Sequence, residues 1–227
     1  MNASTLRKSA RATVERNADP IRIGGLERLS LCDWPGRLAA TVFCQGCPWD
    51  CPYCHNPHLL PARGREMLPW PGVLAFLETR RGLLDSVVFS GGEPTMQKGL
   101  PDAIRQVRAF GFGIGLHSAG PYPQRLATVL PLVDWVGFDV KAAFGEYDRV
   151  TRVPLSGKRA KESLRHLLES GVAFELRTTA DPHLLDEAAV ERLRADLADM
   201  GAPPHRLQSF RSVGTRYPTS EKSPGRS

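Results

Sequence analysis

The sequence predicts an α/β fold, a partial, open (β/α)6 barrel of the TIM type. Apolar runs rich in β-branched and aromatic residues recur along the chain, and segments with helical periodicity separate them. Several of these runs are apolar on both faces, as expected for strands of a parallel sheet covered by helices. Six such strands with five intervening helices fall short of the eight-stranded barrel, which takes about 250 residues. We therefore expect an open sheet.

The first predicted strand follows a polar N-terminal stretch, and the others recur through the rest of the chain. The run Val87, Val88 and Phe89 shows the two-sided apolar character clearly. The predicted strands cover residues 38–43, 86–89, 112–117, 134–140, 172–179 and 206–210.

Five predicted helices alternate with these strands. Pro101 and Pro123 stand in first turns, where a missing N–H is tolerated, and Gly111, Gly171 and Gly201 follow last turns. The predicted helices cover residues 71–80, 100–110, 123–130, 160–170 and 186–200.

The charge pattern separates one domain from two tails. The formal net charge is +6, from 30 basic and 24 acidic residues. Residues 1–16 and 211–227 each contain four basic residues and one acidic residue, so 22 of each sign remain between them. We predict basic, disordered tails at 1–20 and 213–227 around a domain at 21–212. Because the excess charge lies in the tails, it does not indicate a nucleic-acid partner.

Composition also bears on localisation. No segment approaches the roughly 20 apolar residues of a membrane span, and the N-terminal stretch lacks the apolar core of a secretory signal. That stretch weakly resembles an organelle transit peptide, but a plain disordered start is favoured. All five cysteines lie between residues 32 and 54, which favours reduced ligands over a disulfide framework. The sequence therefore predicts a cytoplasmic protein without a membrane partner.

The loop after the first predicted strand contains four cysteines in 11 residues, with the sequence CQGCPWDCPYC at 44–54. A structural zinc site normally places its two cysteine pairs a dozen or more residues apart, whereas three residues separate them here. A bacterial ferredoxin loop has a different order of spacings. The third interpretation, which we favour, uses Cys47, Cys51 and Cys54 as a CxxxCxxC triad on a [4Fe–4S] cluster. Three thiolates leave one iron open to a substrate or cofactor.

A second motif makes the sequence resemble a known family. The triad, with Tyr53 before its last cysteine, is followed about 35 residues later by SGGEP at 90–94 after a predicted strand. This combination resembles the radical S-adenosylmethionine (SAM) superfamily. Over residues 21–211 the chain is similar to anaerobic ribonucleoside-triphosphate reductase activating proteins, relatives of pyruvate formate-lyase activating enzyme. The matching segments are GGL (24–26), LSL (29–31), DWPG (33–36), VF (42–43), QGC (45–47), CPYCHNP (51–57), DVKA (139–142), YD (147–148), Thr151 and RTT (177–179).

The resemblance implies a radical SAM oxidoreductase that activates a glycyl radical enzyme. Its cofactors would be one [4Fe–4S] cluster with three cysteine ligands and SAM, chelated to the free iron through its amino and carboxylate groups. One-electron reduction would give methionine and a 5′-deoxyadenosyl radical, which abstracts hydrogen from a glycine. The implied partners are the glycine loop of anaerobic ribonucleoside-triphosphate reductase and an electron donor such as flavodoxin or ferredoxin.

The resemblance also implies roles for individual residues. Gly91 and Gly92 would let backbone approach the methionine moiety of SAM, and Glu93 would accept from its ammonium group. Tyr53 would pack against the adenine. Lys141 would reach the carboxylate, although a solvated lysine remains an alternative.

Arg177 has two interpretations. It would bind the same carboxylate as Lys141, or form an ion pair with Asp139 or Glu175.

Other positions depart from the family pattern or stay unassigned. Relatives often have Asp-Thr-Asn-Gly on the third strand, where this chain has His117-Ser118-Ala119-Gly120. Ser118 can still donate or accept a hydrogen bond, whereas His117 is either a cofactor contact or a satisfied core histidine.

Three residues near the triad are predicted to bind no metal. Cys32 and Cys44 are expected to be buried free cysteines, and His55 is expected to be a hydrogen-bonding residue of the loop.

Two alternative functions remain at this stage. A radical SAM enzyme could act on another glycyl radical enzyme or on a small molecule, because surface loops determine the target. A zinc-bearing nucleic-acid-binding module with basic arms is the non-enzymatic alternative; it would contain zinc and bind DNA in a salt-dependent manner.

Overall fold

A computed structural model describes residues 21–212 and 214–216. Its centre is one seven-stranded sheet in which the strands follow chain order. The strands are β1 (Ile23–Ser30), β2 (Ala39–Cys44), β3 (Ser86–Gly91), β4 (Gly113–Ser118), β5 (Trp135–Asp139), β6 (Ala173–Ala180) and β7 (Arg206–Ser209).

Six α-helices accompany the sheet. They are α1 (Trp70–Glu78), α2 (Leu100–Ala109), α3 (Pro123–Val129), α4 (Tyr147–Thr151), α5 (Ser156–Glu169) and α6 (Glu187–Asp199). Short 3-10 turns span Pro57–Leu59, Pro94–Met96 and Leu130–Leu132.

The pairing confirms the predicted fold class. Strands β2 to β7 are parallel throughout, each paired with the next, and helices connect most of them. Within the described part of the chain, β1 and β7 are the two edges of the sheet, so the barrel is open. All six predicted strands are present, with ends shifted by one or two residues.

Strand β1 was not predicted. It pairs antiparallel with β2 and has register irregularities near Gly25 and after Glu27. Its sequence IGGLERLS contains two glycines and a charged pair, and it lacks the β-branched run that marks the other strands. Pairing with β2, rather than local propensity, accounts for it.

The helices bury one face against the sheet. In α2 the side chains of Leu100, Ile104 and Val107 are fully buried, because positions spaced by three or four residues share one helix face. Truncating such a side chain to alanine costs about 2–5 kcal/mol. Two helices differ from prediction: α5 begins at Ser156 instead of residue 160, and the five-residue α4 is too short to show periodicity.

Glycine on the sheet leaves room for an aromatic side chain in the open barrel. Trp34, from the β1–β2 loop, packs on it and stacks on Trp135 with ring centroids 5.6 Å apart. A Cβ at Gly115 would lie 3.0 Å from Cε3 of Trp34. Glycine at this position therefore allows the indole to fill the lower part of the open barrel, below the carboxyl ends of the strands.

Among residues 21–212 and 214–216, no helix combines the length and apolar character of a membrane span. Of the predicted tails at 1–20 and 213–227, all but residues 214–216 lie outside the described residues.

Candidate functional site

A cavity of about 380 Å³ lies at the carboxyl ends of the parallel strands. This is the end at which α/β barrels bind their ligands, and the volume suits one small organic molecule. The lining residues come from the cysteine loop, from the ends of β3 to β7 and from the β1–β2 loop. The predicted site residues among them are Cys47, Cys51, Cys54, Tyr53, Gly91, Gly92, Glu93, Ser118, Lys141 and Arg177.

The cysteine loop is held by main-chain hydrogen bonds on both sides. Cys47 N donates to Leu60 O at 3.1 Å, and Asp50 N donates to Thr151 O at 2.9 Å. Within the loop, Cys54 N donates to Cys51 O at 3.2 Å. The thiols of a short, proline-rich loop are thereby fixed at the cavity.

Burial raises the pKa of two of the thiols, those of Cys47 and Cys51. For Cys47, burial and then the nearby Glu93 carboxylate raise the pKa to about 12. Burial also raises the pKa of Cys51, although the Lys141 ammonium partly opposes this effect. These raised pKa values favour the protonated thiol. A bound metal centre would favour the thiolate instead, since coordination to a cation deprotonates a thiol.

Within the described residues, no group of three or more His, Cys, Asp or Glu side chains converges as a single metal ion would require. The thiolates of a four-iron cluster bind separate irons, so a cluster site does not need such convergence.

Gly91 and Gly92 bring the end of β3 against the cysteine loop. Gly91 has φ +109°, and a Cβ there would lie 2.5 Å from Cys44 N. At Gly92 a Cβ would lie 2.3 Å from Gly46 O. The glycines are therefore required by close backbone packing behind the cavity. Their approach to the methionine moiety of SAM stays a prediction.

The Glu93 carboxylate is buried and accepts four hydrogen bonds. Oε1 accepts from Thr95 N (3.0 Å), Thr95 Oγ1 (2.6 Å) and Ser118 Oγ (2.9 Å), and Oε2 accepts from Ala119 N (3.1 Å). Burial raises the pKa of Glu93, and these donors oppose the shift. Because a carboxylate offers about four lone-pair positions shared by two oxygens, Oε2 retains acceptor capacity toward a ligand.

A charged cluster lies at the ends of β5 and β6. Arg177 Nη2 is 2.9 Å from Asp139 Oδ1, and Lys141 Nζ is 3.3 Å from Asp139 Oδ2. The Asp139 pair that was an alternative for Arg177 is thus present, whereas Glu175 pairs with Arg206.

The pKa values of this cluster are linked. Burial opposes ionisation of Asp139, but Arg177, Lys141 and His117 lower its pKa well below the usual range. Burial alone would lower the pKa of Lys141, but Asp139 raises it well above normal. Two cations share one carboxylate, so a charge of +1 remains at this end of the cavity.

His117 adds no charge to this cluster near neutral pH. Burial and the Arg177 guanidinium lower its pKa to about 4. Both ring nitrogens have partners: Nδ1 is 3.0 Å from Ser90 Oγ and Nε2 is 2.7 Å from Asp33 O. His117 is therefore a satisfied histidine that also lines the cavity.

Two buried polar atoms at the cavity have no protein partner. Among the described residues, neither Tyr53 Oη nor Trp49 Nε1 has a hydrogen-bond partner, and both side chains are 3% exposed. Lys141 Nζ lies 5.7 Å from the centre of the Tyr53 ring. Buried polar atoms without hydrogen-bond partners are uncommon in proteins. These two atoms therefore indicate that a group bound in the cavity supplies their partners.

From the sequence we predicted no role for Trp49, and we predicted Asp139 only as an ion-pair partner of Arg177. The signal for Trp49 was its place between two triad cysteines. Of the two cysteines predicted to be buried free thiols, Cys44 is fully buried, whereas Cys32 is exposed and lines the cavity, so the predicted burial of Cys32 is wrong. His55 Nε2 lies 3.0 Å from Arg211 O.

Comparison with known proteins identifies the family. The radical SAM superfamily matches residues 41–195, which is more than half of the chain. The chain belongs to the radical SAM superfamily. As a radical SAM enzyme it uses a [4Fe–4S] cluster and SAM, so the predicted cofactors are confirmed and the zinc-module alternative is not supported.

Two curated relatives match over most of their length. "Putative glycyl-radical enzyme activating enzyme MJ1227" of Methanocaldococcus jannaschii is 29% identical over 187 residues, covering 78% of this chain and 75% of the relative. "Pyruvate formate-lyase-activating enzyme" of Clostridium pasteurianum is 30% identical over 171 residues, covering 73% of this chain and 71% of the relative.

Solved radical SAM structures share the fold. Streptococcus suis SuiB bound to S-adenosylmethionine superposes with a TM-score of 0.59 at 11% identity, over 78% of this chain and 42% of SuiB. TYW1 with a lysine-pyruvate adduct gives 0.59 at 15% identity, over 79% of this chain and 66% of TYW1. The chain thus spans about two fifths of SuiB, and these likenesses concern the fold alone.

The charges and donors of the cavity fit the two cofactors. Three thiols lie on one loop, a carboxylate with spare acceptor capacity lies on one side, and a site of net positive charge lies on the other. SAM contains an ammonium and a carboxylate group, which complement these two ends.

Proposed function

We propose that this radical SAM enzyme is an activase that generates a glycyl radical on anaerobic ribonucleoside-triphosphate reductase. The observation that carries the proposal is the match of more than 70% of the chain to two relatives that are both named activating enzymes. The segments quoted above, from GGL at 24–26 to RTT at 177–179, favour the reductase as the target.

The cofactors would be held by residues that share the cavity. We assign Cys47, Cys51 and Cys54 as the three protein ligands of the cluster, leaving one iron for SAM. When bound and reduced, the cluster would supply the electron that cleaves SAM to methionine and a 5′-deoxyadenosyl radical, and a hydrogen atom of the glycine Cα would pass to that radical to leave 5′-deoxyadenosine and the glycyl radical.

The protein would orient SAM between the two charged ends of the cavity. Glu93 Oε2 accepts from the ammonium group, and the residual positive charge at Lys141 and Arg177 binds the carboxylate. Ser118 donates to Glu93 and thereby positions its carboxylate. Tyr53 packs against the adenine.

The openness of the fold suits a protein substrate. The sheet ends at β1 on one side and at β7 on the other, and within the described residues these two strands do not pair with each other. The cavity reaches the β1–β2 loop through Cys32 and the last strand through Gln208. A glycine loop of a partner protein can enter this open barrel more readily than it could enter a closed barrel.

A second target is favoured by one specific observation, the 30% identity to the C. pasteurianum enzyme. On that alternative the partner would be pyruvate formate-lyase. The electron donor in either case would be flavodoxin or ferredoxin.

One experiment separates the targets. The protein is reconstituted anaerobically with iron and sulfide, reduced with dithionite and incubated with SAM and either purified reductase or purified lyase. We expect a glycyl radical signal by electron paramagnetic resonance with the reductase. A signal with the lyase alone would show that the lyase is the target. Cofactor cleavage without a radical on either protein would contradict both proposed targets.

A further inference from the structure

Trp49 is a buried hydrogen-bond donor that the proposed function does not use. Its indole is 3% exposed, and Nε1 has no acceptor among the residues that the structure describes. A buried donor without an acceptor is destabilising, so such donors are rarely left unpaired. Since Trp49 lines the cavity, a group bound in the cavity is the natural acceptor.

The indole is fixed in position. Its ring meets the Tyr147 ring edge-on, with centroids 5.8 Å apart and planes at 72°. Tyr147 in turn stacks on Phe144 at 5.9 Å, and its hydroxyl accepts from Lys141 N at 2.9 Å. The next residue, Asp50, is bonded through its N–H to Thr151 O. Trp49 therefore has little freedom to find another acceptor.

Its place in the chain indicates the acceptor. Trp49 is two residues from Cys47 and two residues from Cys51, and all three side chains line the same cavity. The cluster bound by these cysteines presents thiolate and sulfide sulfurs, which accept hydrogen bonds. Two carboxylates that line the cavity, Glu93 and Asp139, accept from other residues, and neither is bonded to the indole.

We propose that Trp49 donates its Nε1–H to a sulfur of the [4Fe–4S] cluster or of its cysteine ligands, and that this bond raises the reduction potential of the cluster. The reduced cluster has one more negative charge than the oxidised cluster, so a donor to sulfur stabilises it more. Trp49 thus tunes the reduction potential of the cluster. The inference rests on the cluster and holds whichever protein is the target.

The first test compares Trp49→Phe with a matched control. Trp70→Phe removes an indole whose Nε1 donates to Gln106 Oε1 at 3.0 Å, outside the cavity. Each reconstituted protein is titrated anaerobically without SAM, and the reduced cluster is followed by electron paramagnetic resonance. We expect a more negative potential for Trp49→Phe and the wild-type potential for Trp70→Phe. An unchanged potential in both would overturn the proposal.

The same pair of variants separates the cluster from SAM as the acceptor. If the indole donated to SAM, Trp49→Phe would bind SAM more weakly while its potential without SAM stayed at the wild-type value. That result would also overturn the proposal. Failure to activate a reductase, with the potential shift present, would count against the proposed target and leave the tuning role intact.

A second test needs no substitution and decides the case if Trp49→Phe does not take up a cluster. Wild-type protein is labelled with indole-¹⁵N tryptophan, reduced, and studied by pulsed electron paramagnetic resonance in H₂O and D₂O. Of the four tryptophans, all within the described residues, Trp49 is the one that lines the cavity. We expect an exchangeable deuteron and a ¹⁵N nucleus coupled to the cluster. Absence of both couplings would overturn the proposal.

Discussion

Arg177 Nη1 lies 3.2 Å from His117 Nε2, although the same ring nitrogen is 2.7 Å from the carbonyl oxygen of Asp33. The carbonyl requires a donor, so Nε2 is protonated and Nδ1 accepts from Ser90 Oγ. The guanidinium therefore faces an N–H and not a lone pair. Both side chains reach this place over Gly137, where a Cβ would lie 2.9 Å from each of them.

This arrangement predicts a loss of stability in acid. The pKa of His117 is lowered to about 4, mainly by burial and then by Arg177, whereas an unfolded histidine has a pKa of about 6.5. Between these two pH values the unfolded chain binds more protons than the folded chain. The contribution of neutral His117 to the free energy of unfolding is therefore fully present above about pH 6.5 and is lost as pH falls toward 4. The expected loss between pH 7.5 and pH 5 is about 2 kcal/mol.

His117→Gln supplies the comparison, because glutamine can bond to Ser90 and Asp33 without titrating. The free energy of unfolding is measured by urea denaturation of the anaerobic protein at both pH values. Acid damage to the cluster affects both proteins equally. The difference between their losses in the free energy of unfolding therefore gives the contribution of the histidine. An equal loss in wild type and His117→Gln would refute the assignment.

The assignment of ligands predicts a sharp division among the five cysteines. Alanine at Cys47, Cys51 or Cys54 should abolish cluster binding and lower 5′-deoxyadenosine formation more than about 100-fold, beyond the effect typical of an outer hydrogen-bond partner. Iron and acid-labile sulfide are measured with product formation by chromatography.

Cys32→Ala is the matched control, because Cys32 also lines the cavity but lies on the β1–β2 loop. It should retain iron and activity. Loss of the cluster from Cys32→Ala, or its retention in Cys51→Ala, would show that the ligand set is wrong.

Glu93→Gln should affect both stability and cofactor affinity. An amide has one acceptor oxygen, so its NH₂ group must face either the three donors at Oε1 or the Ala119 N–H at Oε2. We expect a loss of about 1–3 kcal/mol in the free energy of unfolding and weaker SAM binding.

Glu191→Gln, on the exposed side of α6, should change stability by less than about 1 kcal/mol. Urea unfolding and SAM titration are measured on both variants. Wild-type SAM affinity in Glu93→Gln would remove Glu93 from the cofactor site.

Arg216 is expected to stabilise the cysteine loop. Its guanidinium donates to the main-chain oxygens of Asp50 (3.0 Å) and Cys51 (2.9 Å) and lies 2.6 Å from Asp50 Oδ1. Since the contact is partly exposed, Arg216→Ala should cost about 1 kcal/mol, which corresponds to roughly fivefold faster loss of cluster iron to a chelator.

Arg211→Ala is its control, because Arg211 contacts His55 through a main-chain oxygen that the substitution retains. Iron release is followed by absorbance under anaerobic conditions. Equal release from the two variants would exclude this role for Arg216.

The sequence predicted the parallel core of the fold because local patterns mark it. Strands β2 to β7 are short apolar runs that stand between amphipathic segments. Strand β1 and helix α4 escaped prediction because pairing with β2 and packing of Tyr147 determine them, and neither leaves a periodic signal.

The composition of the site was predictable, but its internal bonds were not. Motif spacing and positions at strand ends predicted that Cys51, Glu93 and Lys141 share one site, and all three line the same cavity. The uneven sharing of four donors between the two Glu93 oxygens and the unpaired Trp49 N–H depend on side-chain directions, which spacing does not encode.

The origin of the hydrogen in 5′-deoxyadenosine tests the central claim most directly. The reductase is prepared with glycine deuterated at Cα and incubated anaerobically with the reduced enzyme and unlabelled SAM, and the product is weighed by mass spectrometry. The account predicts one deuterium per 5′-deoxyadenosine together with a glycyl radical on the reductase. Unlabelled 5′-deoxyadenosine, formed without a radical on the reductase, would contradict it.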